Sequence, residues 1–147
     1  MSQPSAKDSS EAGRLRLDHV AIAVTDLNQS LQFYKEQFGL TCLEIEVVEE
    51  QGVRVAKLDC GNTHLELLEP LSPDSPVGKF LAQRGPGLHH ICVGVSDICQ
   101  ELSNLKEKGA RLIDQEPKIG AGGAQIAFVH PKSTGGVLLE LSQPQDE

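Results

Sequence analysis

Two histidines stand at the same place in two copies of one pattern. His19 lies in Leu17-Asp18-His19-Val20-Ala21-Ile22-Ala23-Val24, and His90 lies 71 residues on in Leu88-His89-His90-Ile91-Cys92-Val93-Gly94-Val95. Later in each copy a lone carboxylate sits among leucines. Glu66 does so in His64-Leu65-Glu66-Leu67-Leu68, and Glu140 in Val137-Leu138-Leu139-Glu140-Leu141. A carboxylate among apolar residues is costly to desolvate unless it is paired or binds a cation. His19, Glu66, His90 and Glu140 therefore form a candidate His₂Glu₂ metal site. Imidazole with carboxylate suits Co²⁺, Mn²⁺, Ni²⁺, Fe²⁺ or Zn²⁺. The lack of a thiolate in the set argues against a structural zinc. Four protein donors on an octahedral ion leave positions open for substrate, where the ion acts as a Lewis acid.

The neighbouring polar residues are weaker candidates. His89 adjoins His90, but the repeat puts His90 in register with His19. His64 has no counterpart, because Leu138 fills the matching place. Glu69 aligns with Gln143 and reads as a strand end. His130, in His130-Pro131-Lys132, sits at a turn, either exposed or against substrate. The glycines from Gly120 to Gly123 resemble a phosphate cradle, but a flexible hairpin is the default where no helix follows.

The elements that must position the four residues read as βαβββ, twice over. The first strand spans about Leu15 to Val24. Thr25-Asp26 starts a helix with Leu27, Leu31, Tyr34 and Phe38 on its apolar face and Gly39 at its end. Strands follow at Leu40–Val48, Val53–Leu58 and His64–Leu68. A connector over 71–86 carries a short helix, with Ser75 as cap, Pro76 in its first turn, and Phe80 and Leu81 buried. The second copy has a strand at Leu88–Val95 and a helix capped by Ser96-Asp97, with Ile98, Leu102 and Leu105 inward. Strands at Ala110–Ile113, Ala124–Val129 and Val137–Leu141 complete it, and Pro117–Gly123 is a flexible loop between them. Within the first strand, alternation puts Val20, Ile22 and Val24 on a bulky face suited to a helix, and His19, Ala21 and Ala23 on a small face. Ile91, Val93 and Val95 repeat the bulky face. The small face is expected to wall a cavity. The fold class is α+β: two tandem βαβββ modules, about 15–70 and 87–143, forming a curved sheet around a cleft. Residues 1–13 and 144–147 read as polar tails flanking a single domain over 14–143.

Composition narrows the partners. A net charge of −8 excludes a nucleic-acid backbone as the main partner, which would need a basic surface. No apolar run is long enough to span a membrane, and the first residues lack the apolar core of a signal peptide. Cys42, Cys60, Cys92 and Cys99 contain no C-x-x-C pair and read as free thiols in a reducing cytosol.

With these residues in view, the chain resembles the vicinal oxygen chelate superfamily, and within it the epimerases of CoA thioesters. The resemblance runs over roughly residues 15–143. It rests on Asp18–Val24, Glu66–Leu71, Gly87–Cys92, Pro117–Ala121, His130–Lys132 and Gly136–Leu141. It implies metal ligands at His19, Glu66, His90 and Glu140, with cobalt as the usual ion and Mn²⁺, Ni²⁺ or Zn²⁺ as alternatives. It implies interconversion of the (2R) and (2S) forms of methylmalonyl-CoA through an enolate, and assembly as a homodimer. Glu140 is then one catalytic base and Glu66 the other. Some members instead carry a Glu in the third strand with Gln at the fourth ligand place; here those positions are Val55 and Glu66. Lys118 and Lys132 are weak candidates for the CoA phosphates. The alternatives are a lactoylglutathione lyase with the same ligands, and a metal-free binding module of the superfamily.

Overall fold

The computed structural model describes residues 15–145. The tail expected over 1–13 lies outside the described residues. Each module follows the expected order. The first contains β1 (Arg16–Ala23), α1 (Leu27–Leu31, continued by a π-helical turn over Gln32–Gln37), β2 (Thr41–Val48), β3 (Val53–Asp59) and β4 (His64–Pro70). The connector holds α2 (Pro76–Arg84). The second contains β5 (Gly87–Gly94), α3 (Ile98–Glu107), β6 (Lys118–Ile119), β7 (Gln125–Val129), a short α4 (Pro131–Thr134) and β8 (Leu139–Gln143).

The strands form one eight-stranded sheet in the order β2-β3-β4-β1-β5-β8-β7-β6. The arrangement is palindromic. In each module the first strand pairs parallel with the last, β1 with β4 and β5 with β8. The two first strands meet antiparallel at the centre. Parallel pairs need a crossover with intervening structure, which the helix and two strands of each module supply. His19 and His90 thereby fall on the two central strands, and Glu66 and Glu140 on the strands flanking them.

Helix starts follow the expected chemistry. The Asp26 carboxylate accepts from the Gln29 N–H (3.0 Å), and the Asp97 carboxylate from the Gln100 N–H (3.1 Å). The strand-end residues Glu69 and Gln143 have a parallel use. Glu69 Oε2 accepts from the Leu27 N–H at 3.0 Å, and Gln143 Oε1 from the Ile98 N–H at 2.9 Å. Each last strand therefore anchors the first turn of its own module's helix and satisfies an otherwise orphaned donor.

The bulky strand face is covered as expected. Ile22 and Val24 pack with Leu27, Leu31 and Tyr34, and Val93 and Val95 with Ile98, Leu102 and Leu105. Two apolar residues depart from the pattern. Ile91 stays at the cavity rim. Phe38 is 63 % exposed and stacks on Phe33 (centroids 5.8 Å apart), because the π-helical turn shifts the helical register outward.

The small face walls the cavity only through His90, and its small residues are covered. Ala21 and Ala23 make room for α2, packing with Val77 against Val48, Val53, Val55 and Leu68. Gly94 makes room for Arg16, whose Nη1 would lie 2.8 Å from any added Cβ. Within α2 the buried residues are Val77 and Gly78, whereas Phe80 and Leu81 are only half-buried. Gly78 is required by close approach: a Cβ there would meet the Ser72 carbonyl oxygen at 2.4 Å.

The strand expected over 110–113 is reduced to one bridge, Leu112 to Val129. The Ile113 and Asp114 N–H groups both converge on the Phe128 carbonyl, which ends the ladder. The edge strand falls instead at Lys118–Ile119, inside the expected loop. The expected turn over 130–136 contains α4, and the last strand starts at Leu139, not Val137. The segment after β6 reaches across to the other end of the sheet. Glu46 Oε1 accepts from the Gly122 N–H (3.0 Å), Gln51 Nε2 donates to the Ile119 carbonyl (3.4 Å), and Ala121 packs on the first module's core. These contacts draw the two edges of the curved sheet together.

Candidate active site

The concave side of the sheet encloses a cavity of about 740 Å³ between the modules. The first module contributes Val48, Val53, Val55, Glu66 and Leu68, α2 contributes Phe80 and Arg84, and the second module contributes His89, His90, Phe128 and Glu140. Glu66 and Glu140 are its carboxylates; no other acidic residue lines it among the described residues. Val55 is buried, so the third strand offers an apolar surface. Lys79, Arg84 and Lys118 supply the positive charge.

The four expected residues are buried and in contact. His90 Nε2 is 2.8 Å from Glu140 Oε1, and His19 Nε2 is 3.2 Å from the same oxygen. The two Nε2 atoms are 3.4 Å apart. His19, His90 and Glu140 thus offer three donor atoms within 4.8 Å of one another. Glu66 approaches the opposite edge of the His19 ring, with Oε2 3.4 Å from Nδ1. The two glutamates therefore flank one imidazole. His19 lies behind the lining, whereas His90, Glu66 and Glu140 face the cavity.

The environments of the two carboxyls differ sharply. Burial pushes Glu66 up to about 7, and the field of Glu140 adds to this against the opposing pull of His19. Burial also acts on Glu140, but hydrogen bonds from His19 and His90 overcome it and hold the carboxyl near about 2. For His19, burial disfavours the charged ring; contacts with Asp18, Cys92, Glu140 and Glu66 outweigh it and raise the imidazole well above its usual range. A pair of carboxyls driven apart in this way provides one proton carrier and one base near neutral pH.

Two contacts were not evident from residue types. Asp18 Oδ1 lies 2.7 Å from His19 Nδ1, and His89 Nδ1 lies 2.8 Å from His90 Nδ1. His89 also meets Phe80 edge-to-face, with centroids 4.8 Å apart. Burial and the neighbouring His90 lower His89 to about 4, so its ring is neutral and can accept a hydrogen bond. The signal was in the duplication, since Asp18 and His89 occupy equivalent places.

The donor set fits a divalent ion. Two neutral-capable imidazoles and a carboxylate converge, and the buried carboxylate charge gains a counter-ion. A second cluster, Asp18, His19 and Cys92, is less suited: Asp18 is only half-buried, and burial pushes the Cys92 thiol up to about 12. Of the two lysines singled out earlier, Lys118 lines the cavity, with Nζ 3.1 Å from Asp114 Oδ1 and 5.3 Å from the Phe128 ring centre. Lys132 lies in α4, outside the lining residues, and its N–H donates to His130 Nδ1.

The chain belongs to the Glyoxalase/Bleomycin resistance protein/Dioxygenase superfamily, whose model matches residues 18–128. Its paired βαβββ modules are the vicinal oxygen chelate fold. Within that class it is similar to methylmalonyl-CoA epimerases. The mitochondrial enzyme of Homo sapiens is 46 % identical over 129 residues, covering 87 % of this chain and 73 % of that protein. The ethylmalonyl-CoA/methylmalonyl-CoA epimerase of Cereibacter sphaeroides is 44 % identical, covering 87 % of this chain and 97 % of that protein. A solved structure of a Streptomyces coelicolor methylmalonyl-CoA epimerase variant with 2-nitronate-propionyl-CoA superimposes with a TM-score of 0.83. It is 43 % identical and covers 88 % of this chain and 94 % of that one.

Proposed function

We propose that this protein interconverts the (2R) and (2S) forms of methylmalonyl-CoA by moving the proton at C2. The observation that carries the reading is the pair of buried carboxyls on one cavity wall, flanking His19. Inverting a carbon by proton transfer needs a base on one side and an acid on the other. Glu140 takes the proton from one epimer, and Glu66 carries the proton delivered to the opposite face. Reversal of the two roles serves the other epimer. With Val53 and Val55 the third strand presents no carboxyl to the cavity, so Glu66 is the remaining acid on the first module's side.

His19, His90 and Glu140 would hold the divalent ion, Co²⁺ by family resemblance, and Glu66, at the opposite edge of the His19 ring, stays free to carry the proton. When bound, the ion supplies Lewis-acid stabilisation of the negative charge that develops on the substrate's oxygens. Phe80, Val53, Val55 and Leu68 make the cavity wall beside the carboxyls apolar. Lys79, Arg84 and Lys118 suit the anionic CoA moiety, and Arg84 is braced over the Phe80 ring at 5.6 Å. Lys132, outside the lining, is the weaker candidate. Four free cysteines are consistent with a reducing, cytoplasmic setting, and no helix among the described residues is long and apolar enough to cross a membrane. A homodimer is the expected assembly, to be checked by sedimentation.

The deciding experiment incubates Co²⁺-loaded protein with (2R)-methylmalonyl-CoA in deuterated water. Deuterium at C2 and appearance of the (2S) form are expected. No exchange, together with turnover of a glutathione hemithioacetal, would replace this reading with the lyase.

A further inference from the structure

Each ligand histidine follows a residue that the sheet leaves out of its ladder. β1 and β5 pair antiparallel with two slips in register. Leu17 faces Val93 and His19 faces Cys92, so Asp18 has no opposite. Ala21 faces His90 and Ile22 faces Leu88, so His89 has none. Neighbours in a regular strand point to opposite faces. A bulge inserts an unpaired residue and re-aims its side chain. That is how Asp18 and His89 reach the rings of the residues next to them.

Both contacts are made to Nδ1, at 2.7 Å for Asp18 to His19 and 2.8 Å for His89 to His90. Both therefore leave Nε2 directed at Glu140 Oε1. The two bulges occupy equivalent places in the duplicated modules, yet their chemistry differs. Asp18 offers an anionic oxygen, whereas His89 offers a ring nitrogen braced on Phe80.

We propose that Asp18 and His89 are paired positioning residues, which accept the Nδ1–H of His19 and His90 and so present both Nε2 atoms to the ion. The proposal rests on the metal-site reading above. Partners of this kind are worth about 10–100-fold in metal affinity. Asp18 is expected toward the upper end, because a charged acceptor makes the stronger bond.

The test compares Zn²⁺ and Co²⁺ dissociation constants, by competition with a chromophoric chelator, across the unaltered protein, Asp18→Ala, Asp18→Asn, His89→Phe and His89→Asn. Imidazole ¹⁵N spectra of the Zn²⁺-loaded forms report which ring nitrogen carries the proton. Asp18→Ala and His89→Phe should bind more weakly and lose the protected Nδ1–H signal of His19 and His90 respectively. The two Asn variants keep an acceptor oxygen and should recover most of the affinity and the signal. Unchanged constants and signals in Asp18→Ala and His89→Phe would overturn the positioning roles while leaving the metal site intact. Asn variants as weak as Asp18→Ala and His89→Phe would also overturn them, since packing would then explain the loss. Absence of binding by the unaltered protein would overturn the metal reading itself, and the positioning roles with it.

Discussion

The central histidine of the first module meets three carboxyl groups drawn from both modules, whereas that of the second meets one, the Glu140 that the two histidines share. His19 touches Asp18, Glu66 and Glu140; His90 touches Glu140, the neutral ring of His89 and the edge of Phe128. The scaffolds meanwhile agree closely. Both helices start at an Asp cap and are held by a side chain from the module's last strand. Duplication therefore preserved what fixes position and varied what fixes charge. Glu66 and Glu140 are shifted in opposite directions because burial dominates at Glu66, whereas Glu140 accepts from both histidines. The edges diverge as well. β2 is a full eight-residue strand, whereas β6 has two residues and leaves the chain free to bend across to Glu46.

The largest effect should come from removing one carboxylate at a time. Glu140→Gln should slow turnover by about 10²–10⁴-fold and weaken metal binding. Glu66→Gln should slow it by about 10²-fold or more. Solvent deuterium exchange sharpens the contrast. Each variant should impair exchange chiefly on the epimer its own carboxyl deprotonates, as followed by NMR on each pure epimer. Equal impairment of both epimers by both variants would remove the two-sided assignment.

Next in size is the pH dependence of stability in the metal-free protein. Glu66 has a folded value near about 7 against an ordinary 4.5, so the folded state binds the extra proton. Its contribution is present below about 4.5 and is lost as pH rises through about 7. Glu140 behaves oppositely: its contribution is present above 4.5 and is lost as pH falls toward about 2. Urea denaturation should therefore show the loss on the alkaline side shrinking in Glu66→Gln. The same slope in that variant would place the titration elsewhere.

The two helix anchors should differ by a smaller margin. Glu69→Ala removes a charged acceptor that also meets Arg54 at 3.2 Å, and should cost about 2 kcal/mol. Gln143→Ala removes a neutral one and should cost about 1 kcal/mol. Both are read by chemical denaturation, and equal losses would erase this distinction between the modules. The smallest change is expected at the bridging loop. Gly122 has φ +68°, so Gly122→Ala should cost about 1 kcal/mol with its N–H to Glu46 retained. A measurably stabilised variant would show that the loop does not hold that conformation in solution.

Much of this was legible in the chain. Asp26, Asp97 and Ser75-Pro76 marked helix starts, because capping is local chemistry. The β6 position was not, since Lys118 and Ile119 become a strand only because Ile126 and Gln125 lie opposite. The uses of Glu69 and Gln143 were hidden for the same reason: their partners are more than forty residues away.

By itself, the sequence determined the duplicated βαβββ order and the four matched residues His19, Glu66, His90 and Glu140, because periodicity and repetition are properties of a string. Only the tertiary structure decided that Asp18 and His89 turn back onto those histidines. It also decided that two identical side chains, Glu66 and Glu140, hold their protons so differently. Bulges depend on which strand lies alongside. Protonation depends on burial and on charges brought close by folding, and neither is written in the order of residues.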